Sequence, residues 1–296
     1  MKTEKIKKIL MAVVLLVFGI ALSAEAQMNQ QFQNGKVDWE NGFIYAKGRG
    51  GVNIDAMESA GQAEQEAIIQ AHDNALAVLS RIVNGVNIDS DRLYEQSRVV
   101  DDIMRMQTKG FIQMALPVDS LDVLQWITFK GQEQPKAERV LKMPMRGPKG
   151  LFAVAAAHYK RYPEVIPQKP RFETPVNTES PEYTGVIVDC TGIGLEPCLF
   201  PMILTNDGEN EVFSQRIVDM EISQNRNQGM VALVTSIETA RSNKRAGKNP
   251  LIVKGVEAVG VRNGNVVVTQ EDAIAIMAAD VKSGILKAGQ VVFVTN

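Results

Sequence analysis

The sequence predicts an α+β protein of two small domains, each a mostly antiparallel sheet with packed helices. Three observations carry that expectation. The N-terminal part reads as a strand, a long helix and further strands, the order that lays helices on one sheet face. Five of the 12 prolines (Pro163, Pro167, Pro170, Pro175 and Pro181) crowd between Tyr162 and Tyr183, where they remove backbone donors and bias their neighbours to extended geometry. Beyond them a second set of short strands is punctuated by turn signals and two helices, without the Gly-rich strand-to-helix unit of a dinucleotide fold. The expected organisation is a leader over 1–26, an N-terminal α+β domain over 27–161, a semi-rigid Pro-rich linker over 162–183 and a C-terminal α+β domain over 184–296.

The leader has three parts. Lys2, Lys5, Lys7 and Lys8 form a basic start, Ile9 through Leu22 is an unbroken apolar run, and Ala24-Glu25-Ala26 places small residues where a signal peptidase reads them. The run of 14 residues falls short of the roughly 20 that a spanning helix needs, so cleavage after Ala26 is expected. Leu22-Ser23-Ala24 starts like a lipobox, but Glu25 stands where the lipidated Cys would be. The mature chain is thus expected to be periplasmic or secreted, held at a membrane only through a partner. Removing the leader takes away four Lys and two Glu and moves the formal charge from −2 to −4. That mild acidity gives no nucleic-acid footprint, and no later segment is apolar and long enough to span a bilayer.

In the first domain, the stretch from Lys36 to Gly50 alternates and turns at Asn41-Gly42, which predicts a hairpin. A helix follows over Ala56 to Val83, with Asp55 as N-cap, Glu58 completing a capping box and Gly85 as a left-handed exit. One stripe of it is almost wholly alanine: Ala60, Ala63, Ala67, Ala71 and Ala75, then Leu79. Small side chains allow close backbone approach, either to a sheet in the core or to another subunit. Val86-Asn87-Ile88 reads as a short strand, Ser90 to Met104 as a polar helix, and Gly110 to Pro117, Glu138 to Met145 and Leu151 to Ala156 as strands. In the second domain, strands are expected near 185–190, 199–204, 212–218, 230–235, 251–261, 266–269 and 291–295. Helices are expected near 237–246 and 270–283, and hairpin turns at Asn206-Asp207-Gly208 and Arg262-Asn263-Gly264-Asn265.

Chemistry-bearing patterns are sparse. Cys190 and Cys198 are the only cysteines. In an oxidising compartment an even, closely spaced pair favours a disulfide, with two buried thiols on adjacent strands as the alternative. Gly192-Ile193-Gly194 follows a strand ending in Asp189, yet Pro197 and Pro201 lead on instead of a helix, so no phosphate loop forms. The expectation is a structural turn over Asp189, Gly192, Gly194 and Pro197, with the Asp189 carboxylate receiving backbone donors of the glycine turn. His72 and His158 are isolated, and Arg241, Lys244, Arg245 and Lys248 gather where a helix C-terminus would attract them. No G-x-S-x-G or H-E-x-x-H is present. No catalytic residue, cofactor or metal ligand is expected.

The Ala46-Lys47-Gly48-Arg49-Gly50 strand end, the alanine-stripe helix and the exit Val83-Asn84-Gly85-Val86-Asn87-Ile88 resemble the Lpp-twenty type of envelope lipoprotein domain. That domain also occurs in flagellar accessory proteins of the FlgP and FlgT kind. The resemblance covers residues 36–117 and departs from the family at the missing lipobox Cys. In the second domain, Val188-Asp189, Gly192, Gly194, Pro197, Pro201 and Asp207-Gly208, and the stretch from Asp272-Ala273 to Val291-Val292, are similar to segments of larger exported relatives. The resemblance implies an envelope structural or assembly protein acting through contact with envelope proteins or with itself. It also implies peripheral outer-membrane association and a flagellar context, and it brings no catalytic residues. The alternative function is a periplasmic ligand-binding or hydrolytic module with an interdomain site using acidic residues such as Asp189.

Overall fold

The computed structural model describes residues 28–88, 110–129, 131–163, 169–173, 181–226, 229–260 and 262–295. The expected leader and the polar helix over Ser90 to Met104 lie outside the described residues. Two compact units result. One is built from residues 30–86 and 110–163, the other from 28–29, 87–88 and the described residues from 169 onward. The protein is α+β.

The first unit is a sheet with a long helix laid across it. Its strands are β1 (Asn29–Phe32), β2 (Gly35–Asp38), β3 (Phe43–Gly51), β4 (Leu116–Pro117), β5 (Val123–Phe129) and β6 (Gln132–Pro144). They run in the order β1-β2-β3-β6-β4, with β5 also on β6. The pairs β2–β3, β3–β6, β4–β6 and β5–β6 are antiparallel. The β2–β3 turn follows from Gly42, whose φ of +71° suits glycine. Asp38 accepts from the Asn41 backbone N–H at 2.9 Å, and Arg146 donates to the carbonyls of Trp39 (2.5 Å) and Glu40 (3.4 Å). Burial pushes the Arg146 pKa down, and the Asp38 charge partly offsets this.

Helix α1 (Ala60–Gly85) starts later than its sequence suggests. A 3-10 turn over Ile54–Ala56 takes up the first residues, and Ser59, not Asp55, is the N-cap, accepting from Gln62 N–H at 3.2 Å. Gly85 is the last helical residue and is not left-handed; the chain leaves through extended Val86. The expected strand over Leu151 to Ala156 is instead part of helix α2 (Leu151–Arg161). Leu151, Phe152, Ala155, Ala156, His158 and Tyr159 are its buried side, a helical period that Ala-Ala-Ala at 155–157 supports by propensity. Residues 110–112 are likewise helical, leaving only Leu116–Pro117 as strand. Strand β5 is an addition that the sequence reading did not include.

The second unit holds a seven-stranded sheet in the order β10-β13-β7-β11-β12-β8-β9. Its strands are β7 (Gly185–Asp189), β8 (Ile203–Leu204), β9 (Glu211–Phe213), β10 (Ala232–Val234), β11 (Pro250–Val259), β12 (Asn265–Val268) and β13 (Val291–Val294). The expectation of a mostly antiparallel sheet needs correction here. β10–β13, β13–β7, β7–β11 and β12–β8 are parallel, while β11–β12 and β8–β9 are antiparallel hairpins. Both antiparallel pairs sit at the predicted turns, with Gly208 at φ +69° and Asn263 at φ +50°. Helices α3 (Met220–Asn225), α4 (Ile237–Ser242) and α5 (Gln270–Ser283) complete the unit. α5 is capped by Thr269, accepting from Asp272 N–H, and ends at left-handed Gly284 (φ +64°).

Two segments are placed differently from the sequence reading. Asn87-Ile88 is not a strand of the first domain: its carbonyls accept from the backbone of Leu199 (3.1 Å) and Phe200 (3.0 Å) in the second unit. Part of the expected linker is docked. Phe172 is buried and exchanges backbone bonds with β9, donating to Glu211 O at 2.8 Å while Pro170 O receives Glu211 N–H at 2.8 Å. Prolines that favour extended geometry thus lay residues 169–173 alongside β9 instead of leaving them as a spacer.

Candidate interaction surface

The alanine stripe is the seam of the first unit. Ala63, Ala67, Ala71 and Ala75 are fully buried within the chain, whereas Ala60 is exposed. They lie against Gly48 and Gly50 of β3, where an added Cβ would come within 2.9 Å of Ala75 Cα and 2.6 Å of Ala71 N respectively. Val52 and Ala137 pack into the same cluster. Asn74 Nδ2 donates to Arg49 O at 2.7 Å and fixes the helix along the strand. Of the two roles expected for the stripe, Ala63, Ala67, Ala71 and Ala75 take the core one, which corrects the subunit-interface alternative at these four positions: the close approach that small residues allow is spent inside the unit, and of the five only Ala60 is left exposed.

Two accessible surfaces of this unit are the outer face and one edge of the sheet. Alternation in β3 buries Ile44 and Ala46 under α1 and turns Tyr45, Lys47 and Arg49 outward. The β6 residues paired with those three are Lys142, Val140 and Glu138. Lys47 and Arg49 both bond Glu138, Arg49 at 2.7 Å, and the Lys47 bond above all holds the Glu138 carboxyl below its usual range, against the effect of burial. Lys142 Nζ lies 3.6 Å from the Phe43 ring centroid and 5.6 Å from that of Tyr45; Lys36 Nζ lies 5.2 Å from Tyr45.

Along the edge, β5 pairs with β6 on one side only among the described residues. Its sequence, Val-Leu-Gln-Trp-Ile-Thr-Phe, contains no charge and no proline. Met114, Leu116, Leu121, Val123, Leu124 and Trp126 are 37 to 71% exposed and make up six of the ten large apolar side chains left exposed among the described residues. Single exposed hydrophobics need no explanation, but six within residues 114–126 concentrate apolar exposure along this edge, Val123 toward the outer face and Leu124 toward the helix face of the sheet. A free strand edge without charges is also a template for further pairing. The sequence does carry a signal for β5: a β-branched and aromatic run followed by Gly131 (φ +82°) and the long alternating strand β6.

In the second unit, Asp189 ends β7 and Gly192 and Gly194 lie in the turn over residues 191–194 that follows it, with Pro197 beyond the turn. Gly192 and Gly194 have φ of +79° and +70°. The Asp189 carboxylate accepts from Thr191, both the backbone N–H (3.1 Å) and the hydroxyl (2.5 Å), at the start of that turn. Thr191 is exposed, so water can serve these donors and the turn is less dependent on Asp189 than a buried one would be.

Cys190 and Cys198 are not bonded to each other, which corrects the disulfide expectation. Each thiol is buried and aimed at a different backbone carbonyl: Cys190 Sγ at Val188 O (3.6 Å), Cys198 Sγ at Ile88 O (3.1 Å). Burial, reinforced by the Asp189 charge, pushes the Cys190 thiol far above its usual pKa, so the reactive thiolate is suppressed at Cys190. Iodoacetamide at pH 8 should therefore leave Cys190 unmodified in the native protein and label both cysteines after unfolding without reductant. Only background labelling after unfolding would restore the disulfide.

The remaining candidates do not form a site. Arg245 is buried and donates to Gly229 O at 3.0 Å, so the cationic cluster with Arg241, Lys244 and Lys248 is split between core and surface. His158 is fully buried on α2, its ring 5.0 Å from that of Tyr162, while His72 lies on α1. No group of three or more His, Cys, Asp or Glu that could hold a metal occurs among the described residues. No helix among the described residues is long and apolar enough to cross a membrane.

The fold and these surfaces define an α+β protein with an exposed apolar sheet edge, and sequence comparison adds one point. Residues 185–296 match the family described as Treponema pallidum Tp0624, second domain, so the second unit is similar to that domain. No curated protein matches the chain.

Proposed function

We propose that the protein is a non-enzymatic, exported component of a bacterial cell envelope that works by protein–protein contact, with an envelope protein or with a second copy of itself. The observation that carries this reading is the uncharged, one-sided edge strand β5 and the exposed Met114, Leu116, Leu121, Val123 and Leu124 around it. Burying such a patch is favourable by about 25 cal/mol per Å² of apolar surface, and a strand edge adds backbone hydrogen bonds and register. The basic and apolar leader followed by Ala24-Glu25-Ala26 supports export.

Affinity capture from intact envelope tests the reading, comparing the wild type with a Val123→Lys, Leu124→Lys variant. Lysine on an edge strand blocks further pairing while leaving the strand itself compatible with the fold. A defined envelope protein, or further copies of the chain, should be recovered with the wild type and lost with the variant at an unchanged melting temperature. Equal recovery with both would remove the edge from the account.

A further inference from the structure

The outer face of the first sheet is basic although the whole chain is formally acidic. Lys36 on β2, Lys47 and Arg49 on β3, and Lys136 and Lys142 on β6 share the face opposite to buried Ile44, Ala46, Ala137 and Leu141. Glu138 answers Lys47 and Arg49. Asp38, 3.9 Å from Lys36, also accepts from the backbone and side-chain amides of Asn41. Positive charge therefore remains in excess, and two of its carriers lie over rings: Lys142 against Phe43 and Tyr45, Lys36 against Tyr45. Aromatic faces attract and orient an ammonium without neutralising it.

The row matters as much as the sign. Lys36, Tyr45 and Lys142 are cross-strand partners on three adjacent strands, so the strand spacing sets the two lysines about 10 Å apart across the tyrosine. Beside this row a groove of about 360 Å³ is lined by Gln31, Asn34, Lys36, Tyr45, Lys47 and Val140, among others. It offers the Lys36 ammonium, beside a Lys47 ammonium already shared with Glu138, together with amide groups that can donate to carboxylate oxygens.

We propose that this groove and the basic row continuing from it bind an acidic segment of a partner protein, its carboxylates set against Lys36 and Lys142. The proposal rests on the protein-contact reading above and gives the partner its chemistry. Cations spread over three strands suit a run of carboxylates better than a single anion. An anionic bilayer fits less well, because Asp119 stands beside the exposed Leu121 of the same unit and would be repelled by its headgroups.

Fluorescence anisotropy with the mature full chain tests this. The probes are fluorescein-labelled peptides of alternating Glu and Ala or of alternating Lys and Ala, with phosphatidylglycerol-containing phosphatidylcholine vesicles as a separate arm. The Glu peptide should bind with an affinity that falls steeply with added NaCl, as for exposed charges, and the Lys peptide should not bind. Lys36→Glu with Lys142→Glu should weaken Glu-peptide binding by about tenfold or more, whereas Lys282→Glu with Lys287→Glu in the second unit should leave it unchanged. Lys36→Gln with Lys142→Gln, which avoids new repulsion, should give an intermediate loss at an unchanged melting temperature. Equal binding of both peptides, insensitivity to the Lys36 and Lys142 changes, or vesicle binding through those lysines without Glu-peptide binding would overturn the proposal. If the Glu peptide fails while the Val123→Lys, Leu124→Lys variant still loses its partner, this inference falls and the protein-contact reading stands.

Discussion

Gly48→Ala should cost the first unit about 3 kcal/mol, the upper end of the usual overpacking range. A methyl group there would run into the backbone of α1 at Ala71 O and Ala75 N, atoms that cannot swing aside as a side chain would. Gly50→Ala should behave alike, since its Cβ would meet Ala67 O and Ala71 N. Ala67→Leu presses on the same seam from the helix side and should cost about 1 to 3 kcal/mol. Gly61→Ala is the control: on α1, with nothing within 4 Å of the added Cβ, it should stabilise by roughly 0.5 kcal/mol through helix propensity and lost unfolded-state entropy. Urea denaturation of the four variants distinguishes a packed seam from an alanine face left open for a partner, for which Gly48→Ala would be nearly neutral.

The second large effect is expected at Arg216. Its guanidinium holds Glu211 with two bonds, Nη2 to Oε1 at 2.7 Å and Nε to Oε2 at 3.2 Å, and also donates to Lys169 O. Glu211 is 2% exposed, so Arg216→Leu would strand a buried carboxylate and remove the side-chain tie to Lys169 O, leaving the backbone bonds of residues 170 and 172 to β9. Breaking one side of such a pair costs about 3 kcal/mol. Glu211→Leu together with Arg216→Leu should recover much of that loss, because no uncompensated charge remains. Urea midpoints of the single and double variants check this, and a double variant no better than the single would show that the pair contributes more than charge satisfaction.

The parts of the fold legible in sequence are those governed by local rules. Asn41-Gly42, Asn206-Asp207-Gly208 and the Asn263 turn mark hairpins because few residues tolerate positive φ, and α5 is bounded by Thr269 and Gly284, a cap and a left-handed stop. The alanine stripe of α1 was readable as a helix face, but its partner was not. Only the sheet shows that Gly48 and Gly50 lie beneath it.

Elements set by non-local packing were harder to read. Val186-Ile187-Val188 and Val291-Val292-Phe293-Val294 are unbroken apolar runs, the mark of strands buried on both faces and hence of parallel pairing. Read as antiparallel strands, they hid the character of the second sheet. Leu151 to Ala156 mixes β-branched and alanine residues, and its helical period emerges only when His158 and Tyr159 are included. Spacing brought Cys190 and Cys198 together in sequence but could not show that their thiols turn to separate carbonyls. The candidate surface was the least legible, because exposure of Leu116, Val123 and Leu124 depends on what the rest of the chain leaves uncovered.

If the proposed function is right, the edge at β5 is where this protein meets another. Photo-crosslinking in cells that express the protein reads that contact directly, with a benzophenone side chain at Leu124 and, as control, at Ile274, an exposed residue of α5 in the second unit. The account predicts a discrete higher-mass adduct from position 124, containing an envelope protein or a second copy of the chain, and none from position 274. Adducts of equal yield from both positions, or none from 124 while the protein is exported and folded, would contradict it.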